Sequence, residues 1–478
     1  MRALSGALRR GGGDKHMRLT ILGGGGFRVP LVYGALLRDR AEGRVTQVTL
    51  HDLDRARLTA IARVLADQAD GVADAPSVTV TTDLDEALRG ADFVFSAIRV
   101  GGLEGRAADE RVALAEGVLG QETVGAGGIA YGLRTVPVAA DIARRVARIA
   151  PEAWVINFTN PAGLVTEAMS RHLGDRVIGI CDSPVGLGRR VARVLGVADP
   201  AAARLDYVGL NHLGWLRGVY DDEAPGGGNL LPALFDDERA LTSFEEGRLF
   251  GAAWLRSLGS VPNEYLHYYY FNRETVTAYR EANQTRGAFL RDQQARFYDG
   301  MAGRTSGALA AWDRTRAERE ATYMAENREA AGAGERAADD LESGGYEYVA
   351  LALMRAIARD ERATLILNVR NGLGGSDGAV PLPLLDEAAV VEVPCLVDAT
   401  GARPVAVSPL TGHEAGLVAA VKAVERCVLE AGESGSARAA VKAFALHPLV
   451  DSVGVARRLL DGYRGAHPGL GYLRFEAE

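Results

Sequence analysis

LTILGGGGFRVP, residues 19–30, runs an apolar β-rich segment into four glycines and then into a helical pattern expected over 30–41. Small residues at such a strand-to-helix turn let backbone amides approach a pyrophosphate at the positive end of the helix. The next β-rich run, VTQVTLHD (45–52), ends in Asp52, placed to accept the ribose hydroxyls of an adenosine half. An acid there would repel the extra phosphate of NADP, so the turn and Asp52 together point to NAD. The glycine pattern is incomplete, because Arg28 occupies the third glycine position. The candidate cofactor contacts are Gly23, Gly25, Gly26 and Asp52, with Ile98 closing the strand-like run 91–98.

Outward from this turn the chain keeps alternating. DLDEALRG (83–90) precedes ADFVFSAI (91–98), a helical stretch over 136–150 precedes WVINF (154–158), and RVIGI (176–180) follows. Short buried strands separated by helices make a parallel α/β sheet. We therefore expect a Rossmann-like, doubly wound NAD-binding domain over 17–205. Beyond it the alternation breaks down, with strand candidates at 204–210, 363–369 and 390–407, which predicts a mixed α+β domain over 206–478 for substrate binding and oligomerisation. Residues 1–16 read as a disordered extension, EAPGGGN (223–229) as a flexible loop, and the charged segment 313–345 as an exposed helical excursion whose charges are solvated.

Composition narrows the partners. The chain has 478 residues, 47% of them hydrophobic, and a formal net charge of −8, with a pI near 5.7. An acidic balance argues against nucleic acid or an anionic membrane surface, both of which select clustered Lys and Arg. No apolar run approaches the roughly 18–20 residues that span a bilayer, and MRALSGALRRGGGDKH has no apolar secretory core. Three scattered cysteines, Cys181, Cys395 and Cys427, make no disulfide framework. These features predict a cytoplasmic protein acting on a small molecule.

The chemistry-bearing candidates lie where apolar runs end. Cys181 follows RVIGI, and His212 follows a run ending in Leu210; parallel sheets gather functional groups at the carboxyl ends of their strands. Their separation gives no local chelate, and each alone reads equally as a buried thiol or a hydrogen-bonded structural histidine. VPNEYLHYYYF (261–271) carries four tyrosines, a core patch or the site of a base. Arg99, Arg106 and Arg286 offer planar forks for phosphate or vicinal hydroxyls, or ordinary ion pairs. Asp182 is a helix-cap candidate and Asn160, before Pro161, a turn cap.

GQETVGAGG (120–128), NFTNPAG (157–163), GICDSP (179–184) and GLNHLGW (209–215), in this order after the glycine turn, resemble glycoside hydrolase family four. LILNVRNGLG (365–374) and VVEVPCLVDATG (390–401) look like further stretches of it. These are NAD- and metal-dependent glycosidases, an exception to two-carboxylate hydrolysis. The resemblance implies that Cys181 and His212 hold Mn²⁺ or another divalent ion, that Tyr265 is the base with Tyr268 or Tyr269 as alternatives, and that Asp182 protonates the leaving group. Arg99, Arg106, Glu122, Asn160 and Arg286 would hold the sugar and organise the metal's surroundings. The implied reaction oxidises the sugar's third carbon, eliminates the aglycone after loss of the second carbon's proton, adds water and returns the hydride. A homodimer or homotetramer is the family habit.

NFTNPAG resembles the 6-phospho-β-glucosidase branch, whereas Asp after Cys in CDSP is similar to some 6-phospho-α-glucosidases. The family's first loop often reads GGGS followed by Thr; Gly26 and Phe27 lack those hydroxyls, which leaves a non-phosphorylated glycoside open as substrate. Two other readings stand beside the resemblance: an NAD-dependent 2-hydroxy-acid dehydrogenase, which would release NADH, and a non-catalytic NAD sensor.

Overall fold

The computed structural model describes residues 17–221, 227–323, 328, 331–332, 345–373 and 380–475. Its strands are β1 (Met17–Leu22), β2 (Val45–His51), β3 (Ser77–Thr81), β4 (Phe93–Ser96), β5 (Trp154–Asn157), β6 (Val177–Gly179), β7 (Arg204–Leu210), β8 (Leu213–Tyr220), β9 (Val261–Pro262), β10 (Ala363–Arg370), β11 (Val390–Asp398) and β12 (Gly401–Pro404). They form one sheet in the order β3-β2-β1-β4-β5-β6-β10-β11-β7-β8-β9, with β12 paired to β11. The first six strands are parallel. Their order is that of the doubly wound dinucleotide fold, as the glycine turn and alternation predict. From β10 onward the pairing is antiparallel.

The sequence explains this pattern. β1, β4, β5 and β6 are short, apolar runs buried on both faces, as strands covered by helices on each side must be. Helices Val29–Arg38, Arg55–Ala69, Gly125–Ile149 and Ala162–Leu173 cover them. The last two pack closely because Gly132 has no side chain: a Cβ there would stand 2.6 Å from Leu164 Cδ2. β8 departs from the sequence reading, which found no strand after Leu210; it turns back after two residues, Leu210 pairing with Leu213. The strand Ser77–Thr81 also escaped, because as an edge strand it carries only one fully buried residue.

The expected excursion over 313–345 is corrected where it is described. The helix Ala308–Ala321 buries Trp312 against Phe27 of the glycine turn, ring centroids 5.8 Å apart, and its last turn puts Arg319 into the central cleft. Its charges are therefore only partly solvated. Residues 324–327, 329–330 and 333–344 of that stretch, the extension 1–16, and 223–226 of the expected loop lie outside the described residues. Asn229, at the end of that loop, is fixed by bonds to the backbone amides of Val219 and Leu231. All three cysteines are buried and unpaired. No helix among the described residues is long and apolar enough to cross a membrane.

Candidate active site

A cleft of about 1020 Å³ opens at the carboxyl ends of β1, β2, β4, β5 and β6 and is closed from above by residues of the 264–347 region. Its first wall is the glycine turn. Gly23 has φ +80°, and a Cβ on it would sit 2.5 Å from the Ala97 carbonyl oxygen, so only glycine lets the turn lie against the end of β4. A Cβ on Gly25 would stand 2.8 Å from Arg57 Cβ and 3.0 Å from Asp52 Oδ2, the oxygen that accepts the Gly25 N–H at 3.0 Å. Asp52 Oδ1 accepts from the Asp54 amide. Gly26 lines the cleft, and the helix Val29–Arg38 begins there with no side chain capping its amides. Tyr298, Trp312 and Tyr346 donate to the carbonyls of Gly25, Phe27 and Arg28 at 2.7, 2.8 and 2.7 Å. The turn's carbonyls are thus occupied, and an uncapped helix N-terminus faces a roomy cleft bordered by Asp52 and Ile98. That arrangement fits a dinucleotide.

The second wall joins two chain segments. Asn211 and His212 form the two-residue β7–β8 turn, with His212 in the left-handed region at φ +64°. A residue that carries a Cβ pays an energetic cost in that region and is retained there only where its surroundings hold it. Thr123, from the GQETVGAGG stretch, bonds His212 Nδ1 at 2.9 Å, which aims Nε2 at Cys181 Sγ, 3.5 Å away. Burial depresses the imidazole to about 3, so it remains a neutral donor. Burial, Glu392 and Asp182 push the Cys181 thiol up; a bound cation would reverse this. Among the described residues no set of three His, Cys, Asp or Glu side chains converges on one point. A soft sulfur and an imidazole at hydrogen-bond distance, open to the cleft, fit a borderline divalent ion whose other positions are left to substrate and water.

Of the tyrosines, Tyr265 faces this pair: its ring stacks on His212 with centroids 3.6 Å apart and planes 4° from parallel. Its hydroxyl lies 3.1 Å from that of Tyr323, which donates to Glu264 at 2.9 Å. Burial, Tyr323 and Glu264 raise the Tyr265 hydroxyl well above its usual value near 10. Tyr268 also lines the cleft, whereas Tyr269 stacks on His447 and Tyr270 accepts from Trp215.

Charged groups complete the lining. Glu122 forms ion pairs with Arg99 at 2.7 Å and Arg106 at 2.9 Å, and although burial alone would raise it, the two guanidiniums hold its carboxyl far below the usual range. Arg106 also pairs with Glu110. Arg286 bonds Thr322 Oγ1 and the Arg319 carbonyl, at 2.5 and 2.8 Å. Asn160, joined to Pro161 by a cis peptide bond, and Asp182 both line the cleft. Asp182 begins the helix Ser183–Val194 but makes no capping bond, so its carboxylate is left to the cleft.

Four groups were missed by sequence reading. Arg28 stands over Phe158 and Tyr346 rather than in an ion pair, 5.6 and 5.3 Å from the ring centroids. Arg319 is forced down by burial and by the neighbouring Arg28 and Arg286 charges. Thr123 lay inside a quoted motif without a role, and Tyr323 lay in the stretch read as solvated. Arg28 carried a signal, since it breaks the glycine pattern; Arg319 carried none, because nothing in its charged neighbourhood marks which residue turns inward.

The profile of the Family 4 glycosyl hydrolases matches residues 18–197, and that of the Family 4 glycosyl hydrolase C-terminal domain matches residues 207–450. A probable 6-phospho-beta-glucosidase of Bacillus subtilis (strain 168) is 31% identical, the alignment covering 95% of this chain and 97% of that protein. The 6-phospho-alpha-glucosidase 1 of Lacticaseibacillus paracasei is 30% identical over 94% of this chain and 96% of its own. Among solved structures, a 6-phospho-alpha-glucosidase from gut microorganisms, in complex with NAD and Mn²⁺, is 25% identical with a TM-score of 0.77, covering 97% of this chain and all of that one.

Proposed function

The chain belongs to the family 4 glycosyl hydrolases, and from that premise we propose that it hydrolyses 6-phosphoglucosides, using NAD and a divalent metal ion, by oxidation, elimination and water addition. The observation that carries this reading is the convergence of Cys181, His212 and Tyr265 in the cleft that the glycine turn opens. Relatives named for both anomers support the phosphoglucoside class.

Bound NAD supplies a reversible hydride acceptor, and a divalent ion on Cys181 Sγ and His212 Nε2 supplies a Lewis acid beside the sugar's hydroxyls. The chain's own groups do the rest. Tyr265 Oη takes the proton from the sugar's second carbon; a buried phenol needs nearby positive charge to do so near neutral pH. Asp182 gives a proton to the departing aglycone oxygen. Glu122, fixed by Arg99 and Arg106, accepts hydrogen bonds from sugar hydroxyls, and Asn160 binds a further one.

The 6-phosphate would lie against Arg28, Arg319 and Arg286. Like charges forced together in a partly buried wall are relieved by an anion, and guanidinium forks match phosphate. These cations stand in for the hydroxyls lost at Gly26 and Phe27.

The NFTNPAG stretch favours the β-anomer. A second reading, α-selectivity, is favoured by Asp182, whose uncapped carboxylate borders the cleft beside Arg28. Purified protein with NAD⁺, Mn²⁺ and a reductant is assayed on α- and β-nitrophenyl glucosides with and without a 6-phosphate. Cleavage of a phosphorylated substrate is expected, with solvent deuterium entering the second carbon. Stoichiometric NADH release would instead mark a dehydrogenase, and cleavage without exchange would reject the elimination route.

A further inference from the structure

Behind the Cys181–His212 pair lies a carboxylate to which no step above assigns a part. Glu392, near the start of β11, is 0% exposed. Its Oε1 accepts from Asn211 Nδ2 at 3.0 Å and from Asn368 Nδ2 at 2.9 Å, and its Oε2 accepts from the Tyr207 hydroxyl at 3.0 Å. Asn211 is the residue preceding His212 in the turn. One carboxylate therefore holds the turn that carries His212.

Charge makes the arrangement informative. Among the described residues, the groups that donate to Glu392 are two amides and a phenol, none of them cationic. An ionised carboxylate buried among neutral donors costs several kcal/mol unless a positive charge lies close. A divalent cation held by Cys181 and His212 would supply the positive charge that this carboxylate lacks. Groups that orient metal-binding side chains act this way in general.

We propose that Glu392 is the buried counter-charge of a divalent-cation site on Cys181 and His212 and, through Asn211, the residue that positions His212. This rests on the reading above that the pair holds the metal. The alternative is a structural rivet, since the same four side chains tie β7, β10 and β11 together.

Mn²⁺ binding to the full-length protein, read from the loss of the free-ion EPR signal in the presence of NAD⁺, separates the two. E392Q keeps the shape and the acceptor for both asparagines but removes the charge. The expected result is Mn²⁺ affinity about 10–100-fold weaker, with NAD⁺ affinity and metal-free Tm unchanged or Tm raised. N211A should weaken Mn²⁺ in the same direction and decides the matter if E392Q does not fold. Wild-type Mn²⁺ affinity in either folded variant, with or without a drop in metal-free Tm, would overturn the proposal in favour of the rivet. Failure of the wild type itself to bind Mn²⁺, or full binding by C181S, would instead sink the metal reading beneath it.

Discussion

The imidazole of His212 lies flat on the ring of Tyr265, 3.6 Å between centroids. The stack fixes the phenol's plane, and the Tyr323 hydroxyl at 3.1 Å fixes its oxygen, so the proposed base is held by one neighbour that also belongs to the proposed metal pair. Y265F keeps the ring and the stack but removes the oxygen. Its kcat on the phosphorylated substrate should fall by about 100-fold or more, with Mn²⁺ and NAD⁺ affinities close to wild type. Exchange of solvent deuterium at the second carbon should vanish. Persistent exchange would transfer the role to Tyr268, another tyrosine of the cleft.

Arg319 tests the phosphate wall. A guanidinium crowded by Arg28 and Arg286 gains most when an anion arrives, and hydrogen bonds to a charged group contribute about 1.5–3 kcal/mol. R319M should therefore lower kcat/KM for the 6-phosphoglucoside by about 10–100-fold while leaving any activity on the unphosphorylated glucoside unchanged. Equal losses on both substrates would show that Arg319 supports the cleft without reading the phosphate.

Much of this architecture was legible because it is local. The glycine turn, Asp52 and the alternation to residue 180 fix five of the six parallel strands, since each signal lies within one βα unit. What escaped is non-local. β8 follows β7 after two residues and carries no turn glycine or proline, because the turn keeps His212 at φ +64° and leaves only a histidine where a strand break would be sought. The inward turn of Arg319 depends on Trp312 packing on Phe27 across about 285 residues of chain. A helix dense in Ala, Glu and Arg shows no apolar stripe wide enough to reveal which face is covered.

Asp52 carries a prediction about coenzyme choice. Its carboxylate bonds the Gly25 amide and lines the cleft, where it would meet the ribose of a bound NAD. D52N retains one oxygen for the turn but loses the charge. KM for NAD⁺ should rise by about 10-fold, and NADP⁺, repelled by the wild-type carboxylate, should become the better relative coenzyme. An unchanged NADP⁺/NAD⁺ ratio would remove Asp52 from the coenzyme site.

Acid sensitivity follows from histidines buried in the neutral form. Burial depresses His447 to about 3 and His267 to about 4, as it does His212. His447 Nδ1 accepts the Leu449 amide at 3.1 Å, so protonation there would also break a buried hydrogen bond. Unfolded histidine titrates near 6.5. Below that pH the unfolded chain takes up protons that the folded chain refuses, so stability rises with pH in this range and is lost progressively from 6.5 down toward 3. At pH 5 the loss from His447 alone is about 2 kcal/mol. H447N supplies a carbonyl oxygen near the position of Nδ1 and cannot titrate. Its Tm should fall less steeply than the wild type's between pH 7 and pH 5, and parallel Tm curves over that interval would mean that His447 is not held neutral in the folded protein.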